Sequence, residues 1–157
     1  MRAREESSSE PAGLYGTAAV PDFHLGRIVE REPNGSATQS CRLPPLFARS
    51  VLDVAGNLAA TSALYGTADP VDVLRCRGLA ASRVDLAVAY RGVDPTTGGP
   101  NTLLLEVRSP AGTLLASAST GNPLQASFDL AAGADALVTL SIAGGGTPWL
   151  ATFTTTD

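Results

Sequence analysis

The chain has no lysine: all 11 of its basic residues are arginine, against 15 acidic residues, for a net charge of −4. A nucleic-acid partner needs a basic patch to neutralise phosphates, and these arginines are scattered, so nucleic acid is excluded as a partner. Histidine occurs once, at His24. A Ser-His-Asp triad would have to be built on it, yet it sits in a strand-like stretch and no Gly-x-Ser-x-Gly motif occurs, so no catalytic residue is assigned. Aromatics make up only 5% of the chain. That is sparse for a sugar-binding platform, and Tyr65, Tyr90 and Trp149 read as core packing. No apolar run approaches the roughly 18 residues of a membrane span, and the polar opening Met1 to Glu10 lacks the apolar stretch of a signal peptide. The expectation is a protein with no membrane partner. The two cysteines, Cys41 and Cys76, lie far apart without a Cys-x-x-Cys pair or a nearby histidine, which argues against zinc. They admit two readings, one disulfide or two separate buried thiols. The missing lysine, with abundant Ala, Gly, Leu and Thr, is read as the composition of a GC-rich genome.

What is present is a run of short alternating segments between residues 101 and 154. Residues 102–108 place Leu103, Leu105 and Val107 on one face and Thr102, Glu106 and Arg108 on the other, with Leu104 the exception, so this is a strand with one buried face. Ser109-Pro-Ala-Gly112 is turn chemistry, and residues 113–119 are its return strand. Residues 124–130 turn Leu124, Ala126, Phe128 and Leu130 one way. Residues 136–143 do the same with Ala136, Val138, Leu140 and Ile142, and residues 149–154 with Trp149, Ala151 and Phe153. Strands at roughly ten-residue spacing with a turn at every break indicate a sandwich or barrel, here read as an antiparallel meander.

Leu103 to Val107, Ser109-Pro-Ala-Gly-Thr-Leu-Leu-Ala-Ser117, Phe128-Asp-Leu-Ala-Ala-Gly133, and Leu137 to Ile142 followed by glycines and an aromatic together resemble the bacterial pre-peptidase C-terminal domain. That family is a small jelly-roll-like β-sandwich appended to secreted proteases and other extracellular enzymes. The resemblance covers about the last third of the chain, reaching back towards Val84. The family's alternating Asp-Leu-Asp-Leu strand stands here as Leu103-Leu-Leu-Glu106. The family carries no catalytic residues, so what the resemblance implies is a non-enzymatic accessory sandwich.

Upstream, residues 1–13 are polar, charged and Ser-rich, too poor in apolar surface to fold alone, and residues 1–21 are read as an extended arm beside a single sandwich domain, residues 22–157. Leu14-Tyr-Gly-Thr-Ala18 recurs as Leu64-Tyr-Gly-Thr-Ala68, but the flanks do not align. Residues 23–30 alternate as a strand, and Pro33-Asn-Gly-Ser36 reads as a hairpin turn with residues 38–43 as the partner. Residues 47–64 fit either a helical stripe or, favoured by Gly56-Asn57, a hairpin. Residues 71–76 and 84–90 are further strands, and Asp94 to Pro100 is expected to be a long exposed loop. Asp69, Asp72, Asp85 and Asp94 lack the close Asp-x-Asp-x-Asp spacing of a calcium loop and are assigned to turns, with no metal and no cofactor expected. Gly144-Gly-Gly146 lacks the lysine of a phosphate loop and is a turn.

The sum is an all-β, jelly-roll-like sandwich with an extended N-terminal arm and no enzyme site. The first functional expectation is a structural subunit of a large assembly, a phage capsid decoration or cement protein located in the virion. It would be a homo-oligomer that packs its arm and the Asp94 to Pro100 loop on other protein subunits. The alternative is an extracellular accessory or carbohydrate-binding module of the pre-peptidase type.

Overall fold

Alternation of apolar and polar residues turns the chain into ten strands in a computed structural model, which describes residues 23–32, 34–60 and 68–157. They are β1 (Phe23–Val29), β2 (Cys41–Arg42), β3 (Ser50–Ala59), β4 (Val71–Arg77), β5 (Ser82–Tyr90), β6 (Leu103–Arg108), β7 (Leu114–Ala118), β8 (Leu124–Leu130), β9 (Asp135–Ile142) and β10 (Gly146–Thr156). Helical structure among the described residues is confined to one 3-10 turn, Ala37–Gln39, capped by the Ser36 side chain. The arm, residues 1–21, lies outside the described residues. So do Tyr65 and both copies of the Leu-Tyr-Gly-Thr-Ala repeat except Ala68.

Two five-stranded sheets form, in the orders β1-β3-β10-β5-β8 and β2-β4-β9-β6-β7. Counted from β3, the antiparallel quartets read first-eighth-third-sixth and second-seventh-fourth-fifth, which is jelly-roll order. The all-β, jelly-roll-like sandwich expected from the sequence is therefore present. The meander is not. Only β6 and β7 form a hairpin of consecutive strands, closed by Ser109 to Gly112 with Gly112 at φ 93°. β8 pairs with β5 instead of β7, β9 lies between β4 and β6, and β10 lies between β3 and β5. Alternation fixes which face of a strand is buried but not which strand lies beside it.

Two further expectations fail for a related reason. Residues 23–30 and 38–43 do not pair with each other. β1 runs parallel to β3, and β2 runs parallel to β4 in the opposite sheet, so the sandwich is antiparallel only in its central eight strands. Residues 47–64 contain no hairpin at Gly56-Asn57, because β3 continues through both residues as one ten-residue strand. The Asp94 to Pro100 loop is exposed as expected, with residues 95–98 and Pro100 at the surface, and it is anchored at its base. Asp94 is buried, its carboxylate accepts from the Thr96 amide and the Thr97 hydroxyl, and Val93 bridges Pro100.

The core lies between the sheets. Leu52 and Val54 from β3, Val84, Leu86 and Val88 from β5, and Ala151 and Phe153 from β10 meet Leu74, Leu105, Val138 and Leu140 from the facing sheet, all essentially inaccessible to water. Cys41 and Cys76 are free buried thiols in this layer, not a disulfide. Cys41 stands opposite Leu74, two residues out of register with Cys76. Such a diagonal in a sheet spans roughly 7–8 Å, beyond the usual 4.4–6.8 Å reach of a disulfide. Burial pushes the Cys76 thiol up to about 12, so it is chemically quiet.

Leu104 and Leu105 are neighbours on β6 that face opposite ways, one 40% exposed and the other wholly buried. Leu105→Ala is expected to cost about 2–5 kcal/mol of unfolding free energy, and Leu104→Ala less than about 1 kcal/mol. Equal losses in urea unfolding would contradict this register.

Candidate metal centre

One end of the sandwich gathers four carboxylates. Glu30 follows the last residue of β1, and Glu32 lies two residues on, so both point to the same side of an extended chain. Asp69 is held by reciprocal backbone hydrogen bonds to Ala59 at the end of β3. Asp72, the second residue of β4, faces inward and has no exposure at all. One oxygen from each of the four lies within 4.8 Å of the others.

Each acid is positioned by a specific neighbour. Trp149 donates its indole N–H to Asp72 Oδ2 at 2.7 Å, a buried bond across the two sheets. Glu30 accepts from the Asn57 amide at 2.9 Å and from the Asn34 side chain at 2.7 Å, while Glu32 accepts from the Asn34 amide at 3.1 Å. Asn34 is itself fully buried, which is why Asn34-Gly35 does not serve as an open hairpin turn. The Glu30 carboxylate and the Trp149 ring both rest directly on Gly56, where a Cβ would overlap them. Gly56 is thus a site of close approach, not a turn.

The polar accounting is incomplete. Asp72 Oδ1 and Asn34 Oδ1 are buried without a hydrogen-bond partner, although buried polar atoms are nearly always satisfied. Burial, then the Glu30 charge, pushes the Asp72 carboxyl up to about 9 against the pull of the Trp149 bond. Burial, then Asp69 and Glu30, pushes Glu32 up to about 7, and burial raises Glu30 as well. Alone, the cluster therefore holds protons well above the ordinary carboxylate range.

A cation can replace those protons. The donors are all oxygens, which suits a hard ion such as calcium or magnesium. Ligand type separates the two: magnesium usually keeps several waters and takes one or two carboxylates, whereas calcium accepts six to eight oxygens, carboxylates among them. Four carboxylates within 4.8 Å of one another therefore suit calcium.

The residues singled out from the sequence distribute differently from expectation. Asp69 and Asp72 belong together, but their partners are Glu30 and Glu32, not Asp85 and Asp94. Asp85 accepts from Ser127 on the outer sheet face, and Asp94 belongs to its own loop. The expectation of no metal weighed aspartates close in sequence, whereas the cluster joins two acid pairs some forty residues apart, Glu30-x-Glu32 and Asp69-x-x-Asp72. His24 accepts from the Gly26 amide and lies 3.7 Å from Asp53, whose other oxygen takes the Thr152 hydroxyl. With the acid between the hydroxyl and the imidazole, the order is wrong for activating a nucleophile.

No described protein family matches the chain, and no curated protein matches it in sequence. Among solved structures, the resemblance carried by the last third of the chain is met by the pre-peptidase C-terminal domain of a collagenase from Bacillus anthracis. It has 14% identity and a TM-score of 0.48, covering 71% of this chain and 93% of that one. CsCBM6-3 from Clostridium stercorarium, solved in complex with cellobiose, aligns at 20% identity and a TM-score of 0.31, over 55% of this chain and 66% of that one. A β-glucosidase from Paenibacillus barengoltzii aligns at 12% identity and a TM-score of 0.35, over 83% of this chain and 13% of that one. Likenesses this distant concern strand arrangement, and the chemistry has to be argued from the site.

Two outcomes follow for the metal-free chain in EDTA. Unfolded carboxyls ionise near pH 3.9–4.3, whereas the folded Glu32 and Asp72 keep their protons to about 7 and about 9. The native state then binds more protons, so stability is greatest at low pH and falls as pH rises through that window. Asp135, lowered by its bond from Arg77, and Asp94, lowered by the Thr96 amide, act in the opposite sense only below their ordinary pKa. Urea unfolding is expected to show higher stability at pH 5 than at pH 8, with Asp72→Asn flattening the difference; a rise from pH 5 to pH 8 would refute the assignment. Gly56→Ala is expected to cost about 1–3 kcal/mol by forcing Glu30 and Trp149 aside, and unchanged stability would show that the close approach is not real.

Proposed function

We propose that the chain is a non-catalytic, calcium-binding β-sandwich module of the accessory type. The observation that carries this reading is the buried Asp72 oxygen without a hydrogen-bond partner, set among three further carboxylates within 4.8 Å. The residues present would hold the ion as follows: Asp72 from inside the sandwich, Glu30 and Glu32 from the end of β1, and Asp69 from the approach to β4. A bound cation supplies the charge that burial otherwise forces the cluster to obtain from protons. It also ties two chain segments together at one end of the jelly roll. Its role is structural: the ion sets the geometry of this end rather than reacting.

This reading keeps the accessory-module expectation in preference to capsid decoration. Cementing was motivated by the lack of a signal-peptide stretch and of a catalytic site and by the arm, residues 1–21, and the arm lies outside the described residues. An accessory module of this type works outside the cell, and that is the placement proposed.

Trp149 is the chain's one tryptophan and donates directly to a proposed ligand, so it reports on the site. Calcium titration should change its emission saturably, and excitation of the indole should sensitise terbium luminescence. Calcium at 100 times Kd should raise stability by about 2.7 kcal/mol. Asp72→Asn and Glu30→Gln should each weaken binding by about tenfold or more. Absence of any calcium or terbium response, or a response that both substitutions leave intact, would overturn the proposal.

A further inference from the structure

A groove of about 590 Å³ runs along the opposite side of β1 from its pairing with β3, between the end of that strand and residues 39–44. Among the described residues β1 and β2 are the outermost strands of their sheets, so the groove lies between two edges without a described partner strand. The Glu30 amide is bonded to Ala55, and by the alternation of a strand the backbone groups of Val29 turn outward to the open edge. The Leu43 amide is bonded to Arg75, which leaves the backbone groups of Arg42 open in the same way. The wall between them is apolar, formed by Ile28, Val29, Leu43 and Pro44, with Val29 71% exposed.

Two guanidinium groups flank this wall. Of the other described arginines, four are taken up by carboxylates: Arg75 and Arg77 by Asp135, Arg83 by Asp85 and Asp129, and Arg108 by Glu106. Arg31 and Arg42 line the groove from its two sides and have no ion pair or side-chain hydrogen bond among the described residues. Glu32 stands at one end, where it accepts from the Asn34 amide and belongs to the acid cluster, so the groove carries two arginines against one acid. A single small anion would use the charge and leave the apolar wall and the free backbone edge unused. A chain with carboxylates on one face, apolar side chains on the other and its own backbone hydrogen bonds uses all three.

We infer that the groove between β1 and β2 docks an extended acidic peptide, which adds a strand along the open edge of β1 and sets its carboxylates on Arg31 and Arg42. Bidentate guanidinium–carboxylate pairs give the register, and the apolar positions give the remaining affinity.

The test is fluorescence anisotropy on the full chain in millimolar calcium, with fluorescein-labelled octapeptides of alternating Glu and Val, alternating Lys and Val, and alternating Glu and Ser. The Glu-Val peptide should bind saturably, the Glu-Ser peptide at least several-fold more weakly, and the Lys-Val peptide not at all. Arg31→Gln and Arg42→Gln should each weaken Glu-Val binding by roughly tenfold. Both side chains are exposed, so unfolding midpoints should be unchanged, confirming that the variants are folded. No saturable Glu-Val binding, equal binding of the Lys-Val peptide, or affinity indifferent to both substitutions would overturn the inference. So would complete displacement of the peptide by millimolar free glutamate, which would make the groove a small-anion site.

Discussion

A carboxylate without access to water has to be matched by a proton, a cation or a set of donors, and Asp72 imposes that demand on this fold. Trp149 meets one oxygen. The other has no donor, and an isolated ionised carboxylate in a low-dielectric interior is among the most costly states a side chain can take. Arginine is not at hand on the same strand. Arg75 and Arg77 lie three and five residues on, and strand alternation turns them to the outer face, where they pair with Asp135. The remaining possibilities are a shared proton or a bound cation, and the neighbouring residues fit either. Gly56 has no side chain because Glu30 and Trp149 occupy that space. Asn34 is buried because Glu30 and Glu32 both accept from it.

Jelly-roll order is what makes this cluster possible. β1 and β4 belong to different sheets, and β3 and β10 pair side by side at the same end. The exit of β1, the approach to β4 and the start of β10 therefore converge although they are far apart in sequence. A contiguous calcium loop supplies its ligands from a dozen successive residues. Here the ligands come from two segments brought together by sheet pairing, so the centre can exist only once the sandwich has formed.

That difference also explains how much of the molecule was legible in the sequence. Period-two alternation identified the buried faces of β6, β8, β9 and β10 residue by residue, because burial acts on each strand locally. It did not identify neighbours, since β8 has the same pattern whether it pairs with β7 or with β5. Gly56-Asn57 was read as a turn because glycine permits one. In the fold the glycine answers to a carboxylate and an indole approaching from other strands, a tertiary cause with no local signature. Pro33-Asn-Gly-Ser36 was misread in the same way: the asparagine that favours a turn is recruited by the glutamates beside it.

The candidate site was the least legible feature, and the reason is physical. Acidic residues are common in turns, where solvent makes them inexpensive, so an acid pair alone carries little information. What distinguishes Asp72 is its place within the strand. It occupies an inward position of β4, in the alternation that buries Leu74 and Cys76. A charge at a core position of a strand breaks the binary pattern, and such a break persists only where another interaction compensates. The useful signal was therefore the aspartate's phase relative to the apolar residues after it, and not the spacing between acids. Followed upstream to the next unexplained acid pair, that phase would have led from Asp72 to Glu30 and Glu32.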